Sequence, residues 1–119
     1  MRYLLMIYTD ETVAAKMSPE EQGAYMAAYN AFTKATRDRN AFQAGEALQS
    51  TATATTVRVR NGKAVSTDGP YAETKEQLGG YYLLNCKNLD EAIEFAAMIP
   101  GAQHGSIEVR PIMEFGEPA

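Results

Sequence analysis

The sequence predicts an α+β domain in which two helices cover one face of an antiparallel sheet. Three observations support this prediction. Strand and helix signals run in the order β-α-β, hairpin, β-α-β; both long helices begin with capping residues; and an Asn-Gly turn marks the hairpin. Two right-handed split βαβ units give a ferredoxin-like plait. The chain of 119 residues suits one domain, which we place at residues 1–119.

The first half of the chain supplies the first β-α-β unit. Residues 2–8 form a nearly continuous apolar run, typical of a strand covered on both faces. A capping box of Ser18 and Glu21 marks the start of a helix, which ends near residues 37–40. A short strand is expected at about 42–48. The apolar stripe of the helix consists of Tyr25, Ala28, Tyr29, Phe32 and Ala35.

A β-hairpin is predicted between Thr55 and Thr67. Asn61-Gly62 is the preferred two-residue turn because both positions accept positive φ. This register places valines on one face and basic residues on or beside the other. We interpret the basic strip as a charged edge that limits strand aggregation, with an acidic ligand or partner as the alternative. The strip consists of Arg58, Arg60 and Lys63.

The second half repeats the β-α-β pattern. A strand at 79–86 precedes a helix capped by Asn88, and Pro100-Gly101 ends that helix. The last strand is expected from Ser106 to Phe115, with Pro111 favouring an edge position or a bulge there. The predicted buried stripe of the helix is Leu89, Ala92, Ile93 and Ala96, and that of the strand is Ile107 and Val109.

Two helices leave the second face of such a sheet without cover, although its strands are apolar enough to need it. A second copy packing sheet against sheet would supply that cover, so we expect a homodimer.

The run DGPYAETKEQLGGYYLL, residues 68–84, is the longest specialised segment. It resembles the DGPF-type branch of the YCII-related proteins, members of the dimeric α+β barrel superfamily; Tyr71 stands where the branch name has Phe. The resemblance extends to the YLLMIYTDE start, Ser18-Pro19-Glu20-Glu21, GEAL at 45–48 and TATTVR at 53–58, and to His104-Gly105 and Glu108-Val109-Arg110-Pro111 near the end.

The resemblance implies two kinds of function. Some relatives look like lyases or dehydrochlorinases that act on oxidised aromatic rings through a His–Asp pair, with the histidine on or near the first helix. This chain has no histidine before His104, so that pair does not carry over. Other DGPF-type proteins resemble partners of extracytoplasmic-function sigma factors, which implies a regulatory role.

The composition argues against several functional classes of protein. A net charge of −4 disfavours a nucleic-acid binder, and no apolar run approaches a membrane span. Cys86 is the single cysteine, which fits a reducing, cytoplasmic location and a buried apolar role. One histidine and one cysteine do not make a usual zinc site, and no P-loop or dinucleotide fingerprint is present. We therefore expect no metal and no cofactor.

Asp68 and His104 are the candidate catalytic residues. A carboxylate at a strand end can act as a general base when desolvation raises its pKa. The alternative is that Asp68 only organises its Asp-Gly-Pro turn. His104 is the side chain that titrates nearest neutrality, although its neighbours Gly101, Ala102 and Gly105 also fit an exposed turn.

The candidate substrate-binding residues are Tyr71, Glu73, Lys75 and Tyr82. Tyrosines can form the walls of a pocket for a flat ligand, and Glu73 and Lys75 could hold a polar group. The alternative for these two residues is a solvated ion-pair segment, which is the interpretation that we favour for Glu76. Alternation allows only one of Tyr81 and Tyr82 to face a given side. Gly79-Gly80 indicates a bulge or a close backbone approach.

Two functional hypotheses follow. The first is a cofactor-independent enzyme that performs proton transfer on a small oxygenated or aromatic substrate, and it requires Asp68 and His104 to meet at one pocket. The second is a non-catalytic ligand-binding or regulatory module, for example a sigma-factor partner.

Overall fold

The computed structural model describes residues 1–116. Its helices and strands are β1 (Arg2–Thr9), α1 (Glu11–Ala15), α2 (Pro19–Asp38), β2 (Phe42–Ala47), β3 (Thr55–Arg60), β4 (Lys63–Asp68), β5 (Gln77–Asn85), α3 (Leu89–Met98) and β6 (Ser106–Pro111). Two 3₁₀ turns, Thr51–Thr53 and Pro100–Gln103, complete the described chain.

Four strands form the main sheet in the order β2-β5-β1-β6, with every neighbouring pair antiparallel. This order confirms the predicted α+β, ferredoxin-like architecture. Pro111 ends the edge strand β6, as expected. The short helix α1 was not predicted. It forms because the Asp10 carboxylate accepts hydrogen bonds from the Thr12 N–H and hydroxyl, 2.9 and 2.7 Å away, which also lowers the pKa of Asp10.

The core lies between the main sheet and the helices. Alternate residues of β1 and β5 point into it, and Phe95 of α3 is fully buried beneath them. The predicted capping box of α2 is present, and Asn88 caps α3. Cys86 is buried in this core, and burial raises the pKa of its thiol. The core consists of Tyr3, Leu5, Ile7, Phe32, Ala41, Tyr82, Leu84, Cys86, Ala92, Phe95, Ala96 and Ile99.

Two sequence predictions need correction. The buried stripe of α3 is rotated by about one residue, so that Phe95 is buried while Leu89 and Ile93 are 48% and 51% exposed. The last strand ends at Pro111 rather than at Phe115. Beyond Pro111 the Ile112 N–H still donates to the Arg2 carbonyl of β1 at 2.9 Å, and Arg2 forms a bidentate ion pair with Glu114 at 2.7 and 2.8 Å.

The other side of the main sheet is here named the open face. It carries Leu4, Met6 and Tyr8 of β1 opposite Leu83 and Tyr81 of β5. All five side chains are half-buried. Apolar residues thus occupy both faces of the central strands, as the continuous apolar run at 2–8 predicts.

The hairpin β3–β4 forms a sheet of its own, apart from the main sheet. Eleven of its twelve strand residues are exposed. Its register pairs Val57 with Ser66 and Val59 with Ala64, so the predicted valine face is confirmed. The radius of gyration is 16.6 Å, whereas a compact chain of this length would have about 13.5 Å. The hairpin is therefore an arm that projects from the rest of the chain, which we call the body.

Gly79 and Gly80 have different roles in β5. Ile7 pairs with Gly80 and Tyr8 pairs with Leu78, so Gly79 is the extra residue of a β-bulge. A Cβ on Gly80 would lie 2.8 Å from the Glu46 carbonyl oxygen of β2. The glycine pair therefore combines a bulge with a close backbone approach, the two alternatives that its sequence indicated.

We expect Gly80→Ala to destabilise the fold by about 1–3 kcal/mol, because the added methyl group forces two paired strands apart. Gly79→Ala is the matched control, since the nearest atom to its added Cβ is 4.0 Å away. Urea denaturation of both variants measures the difference. Equal stability of the two variants would contradict this account.

Candidate functional site

A groove runs along the helix side of the molecule, between α2 and the turn that follows α3. It is open to solvent, has a volume of about 720 Å³ and is mainly apolar. Small side chains of α2 leave room for it. Its lining consists of Met17, Glu21, Ala24, Tyr25, Ala28, Ala31, Phe32, Ala35, Met98, Pro100, Gln103 and His104. We call it the helix-side groove.

Three rings gather at the polar end of the helix-side groove. Tyr25 and Tyr29 lie one helical turn apart and meet edge to face, with centroids 5.0 Å apart. The His104 imidazole lies beside the Tyr25 ring at 5.6 Å, tilted by 34°. The only histidine of the sequence is therefore positioned by an aromatic side chain, and it faces the groove as well as solvent.

Tyr29 connects the two elements that form this end of the groove. Its hydroxyl accepts a hydrogen bond from the buried Gly101 N–H at 3.2 Å and lies 3.4 Å from the Tyr25 hydroxyl. Burial and the Tyr25 hydroxyl raise the pKa of Tyr29 well above its usual value. A Cβ on Gly101 would lie 2.8 Å from the Tyr29 hydroxyl, so glycine permits this contact. Tyr29 thereby fixes the turn that carries His104.

A second, more polar cavity of about 580 Å³ lies near the end of β1. The segment 68–84 contributes Thr74, Lys75 and Glu76 to it, and Tyr8 forms part of its wall. The Glu76 carboxylate accepts a hydrogen bond from the Ser106 hydroxyl at 2.7 Å. Lys75 therefore lines a cavity together with an acidic residue, Glu76.

Asp68 and His104 do not meet within one chain. Asp68 is exposed at the end of β4, on the hairpin, and lines neither cavity. Within residues 1–116 its carboxylate has no hydrogen-bond partner, so it does not organise the turn either. The turn instead depends on Gly69, whose φ is +109° and whose N–H donates to the Ala54 carbonyl at 2.8 Å.

The remaining predicted site residues are dispersed. Tyr71 is 84% exposed and its ring lies 5.9 Å from the Arg58 guanidinium of the hairpin. Glu73 is exposed in the same segment. Tyr82 is a core residue, 9% exposed, with its hydroxyl 3.2 Å from that of Thr33. Tyr71 and Tyr82 therefore do not line one common pocket.

Comparison with known proteins identifies the family. The model of the YCII-related domain matches residues 1–116. The chain belongs to the YCII-related family. It is also 39% identical, over 114 residues, to an uncharacterized protein of Rhizobium meliloti (strain 1021); the match covers 94% of this chain and 92% of that protein. The resemblance stated from the sequence is therefore confirmed over almost the whole length.

The sequence of this YCII-related chain does not indicate that Tyr25 lines the groove beside His104. Tyr25 and Tyr29 were assigned to the apolar stripe of the first long helix, and their spacing of four residues does put them on one helix face. The missing signal was the pairing of Tyr25 with His104, which lie 79 positions apart in the sequence. Only the packing of α2 on the turn after α3 reveals it.

The described residues contain no group of three or more potential metal ligands among His, Cys, Asp and Glu. None of the described helices is long and apolar enough to cross a membrane. The polar groups that line the helix-side groove are an imidazole, a phenol, a carboxylate and an amide, around an apolar floor.

We expect Tyr29→Phe to lower the free energy of unfolding by about 1–3 kcal/mol, because the buried Gly101 N–H loses its acceptor. Tyr71→Phe serves as the control, since the Tyr71 side chain is exposed. Chemical denaturation at neutral pH measures both. A Tyr29→Phe variant as stable as the control would show that this hydrogen bond does not hold the turn.

The raised pKa of Tyr29 also predicts a pH dependence. In the unfolded chain a tyrosine ionises near pH 10, whereas folded Tyr29 keeps its proton to higher pH. The contribution of the Tyr29 hydroxyl to the free energy of unfolding is therefore complete below about pH 10 and is lost as the pH rises above that value. The difference in unfolding free energy between the natural chain and Tyr29→Phe should shrink from pH 9 to pH 11. A constant difference would contradict the raised pKa.

Proposed function

We propose that this chain binds a small oxygenated aromatic compound in the helix-side groove, with His104 as its proton-transferring group. The observation that carries the proposal is the placement of the single histidine against Tyr25 at the polar end of an apolar groove. Small-molecule sites commonly combine an apolar lining with a few polar groups that fix orientation.

The lining favours a neutral, flat ligand with hydroxyl groups. Phe32 and the alanines of α2 offer apolar contact, while Glu21 and Gln103 offer hydrogen bonds at the rim. The Glu21 carboxylate already participates in the capping box of α2 and would repel an anion placed beside it. A phenol or catechol suits this arrangement better than a carboxylate does.

Acid–base chemistry in the groove would use His104 with Tyr25, rather than with Asp68. The imidazole can accept a proton from a ligand hydroxyl, and the Tyr25 phenol beside it can orient the same ligand. The exposed position of Asp68 on the hairpin argues against the pair expected from the sequence. Binding without turnover, as in a regulatory module, is the alternative that activity measurements must separate.

We also propose a homodimer that buries the open face. Leu4, Met6, Tyr81 and Leu83 give this face an apolar centre, and face-to-face sheet packing covers such a surface efficiently. The two helix-side grooves would then lie on the outside of the dimer, one on each copy.

The groove can be tested by filling it. We expect Ala28→Phe to weaken the binding of phenol and catechol at least tenfold, because Ala28 lines the groove. Ala27→Phe is the matched control: the residue is its neighbour on α2, is exposed and lies outside the lining. Isothermal titration calorimetry of both variants and of the natural chain measures the affinities.

His104→Gln separates binding from chemistry. We expect it to bind these ligands within a few-fold of the natural chain and to abolish any conversion found in a screen of hydroxylated aromatic compounds. Conversion that survives in His104→Gln would remove the histidine from the mechanism. If the natural chain does not bind phenol or catechol, the groove proposal is wrong. An equal loss of affinity in Ala28→Phe and Ala27→Phe would also contradict it.

A further inference from the structure

The hairpin β3–β4 presents a surface that the groove does not use. Val57 and Val59 are 62% and 63% exposed on one face of the arm, opposite Ser66 and Ala64. A two-stranded hairpin alone is at best marginally stable in water and needs a further strand or a packing surface. Residues 1–116 of one chain give the hairpin no third strand and little packing surface, because eleven of its twelve strand residues are exposed.

The root of the arm is held firmly. The Glu11 carboxylate accepts hydrogen bonds from the Thr51 N–H at 2.8 Å and from the Thr51 hydroxyl at 3.1 Å. At the base of the hairpin the Thr56 hydroxyl donates to the Gly69 carbonyl at 2.9 Å. The side chain of Gln77 in turn accepts from the Glu11 N–H at 3.1 Å. These bonds tie the root to the main sheet and set the direction of the arm.

Charge distinguishes the arm from the body. Residues 55–68 contain three of the 11 basic residues and one of the 15 acidic residues, which leaves eight basic and 14 acidic residues elsewhere. The arm is therefore basic and the body acidic. Opposite net charges on two parts of one chain favour contact between the arm of one copy and the body of another.

We infer that the hairpin is an intersubunit arm that packs against the body of a second copy of this chain. Its valine face covers apolar surface of that copy, and the basic side chains at the tip of the arm, Arg60 and Lys63, reach carboxylates of that copy. The contact completes the packing that the hairpin lacks in one chain. This inference does not depend on a ligand in the helix-side groove.

Serine substitutions on the two faces of the arm provide the first test. We expect Val57→Ser/Val59→Ser to raise the dimer dissociation constant at least tenfold in sedimentation velocity. Val65→Ser is the control, because Val65 is also exposed but lies on the opposite face, paired with Arg58. Circular dichroism should show all variants folded, since none of these valines is buried.

Carbodiimide crosslinking of a mixture of ¹⁴N- and ¹⁵N-labelled chains provides the second test. Lys63, at the tip of the arm, should couple to a carboxylate of the other isotopic form, and Lys63→Arg should remove that crosslink because guanidinium does not react. A monomeric natural chain would overturn the inference. A dimer unaffected by the double substitution and without a mixed Lys63 crosslink would also overturn it, while leaving open-face pairing intact.

Discussion

The hydrogen bond between the Tyr29 hydroxyl and the Gly101 N–H is the contact on which the helix side of this protein depends. It joins the first long helix to the turn that follows the last one. Because His104 closes that turn, the same bond sets the position of the imidazole beside Tyr25. A half-buried phenol kept in its protonated form is well suited to this structural role, since it can accept a hydrogen bond from Gly101 without introducing a charge.

The two sides of the main sheet serve different purposes in this account. The helix side contains the core and a groove whose size follows from the alanines of α2. The open face and the arm carry apolar residues that a single chain leaves incompletely covered. Ligand binding and self-association are thereby assigned to separate surfaces, so that each can be altered without the other.

The sequence predicted the fold well and the site poorly, for one physical reason. Capping boxes, an Asn-Gly turn and apolar periodicity are local signals, and they located almost every strand and helix. Site geometry depends on distant contacts. The alternation of Tyr81 and Tyr82 showed that one must face the core, but only the pairing of Tyr82 with Leu5 decides which. Likewise, no local pattern indicates that the hairpin carries Asp68 away from His104.

The central claim is that the Tyr25–His104 end of the helix-side groove holds a small aromatic ligand. Intermolecular nuclear Overhauser effects from catechol to the protein test it most directly. Because the sequence contains one histidine, every imidazole signal in the spectrum belongs to His104. The account predicts effects from catechol protons to the His104 and Tyr25 rings and to the Ala28 methyl group. Effects confined to residues of the second cavity, near the end of β1, such as Tyr8 and Thr74, would contradict it.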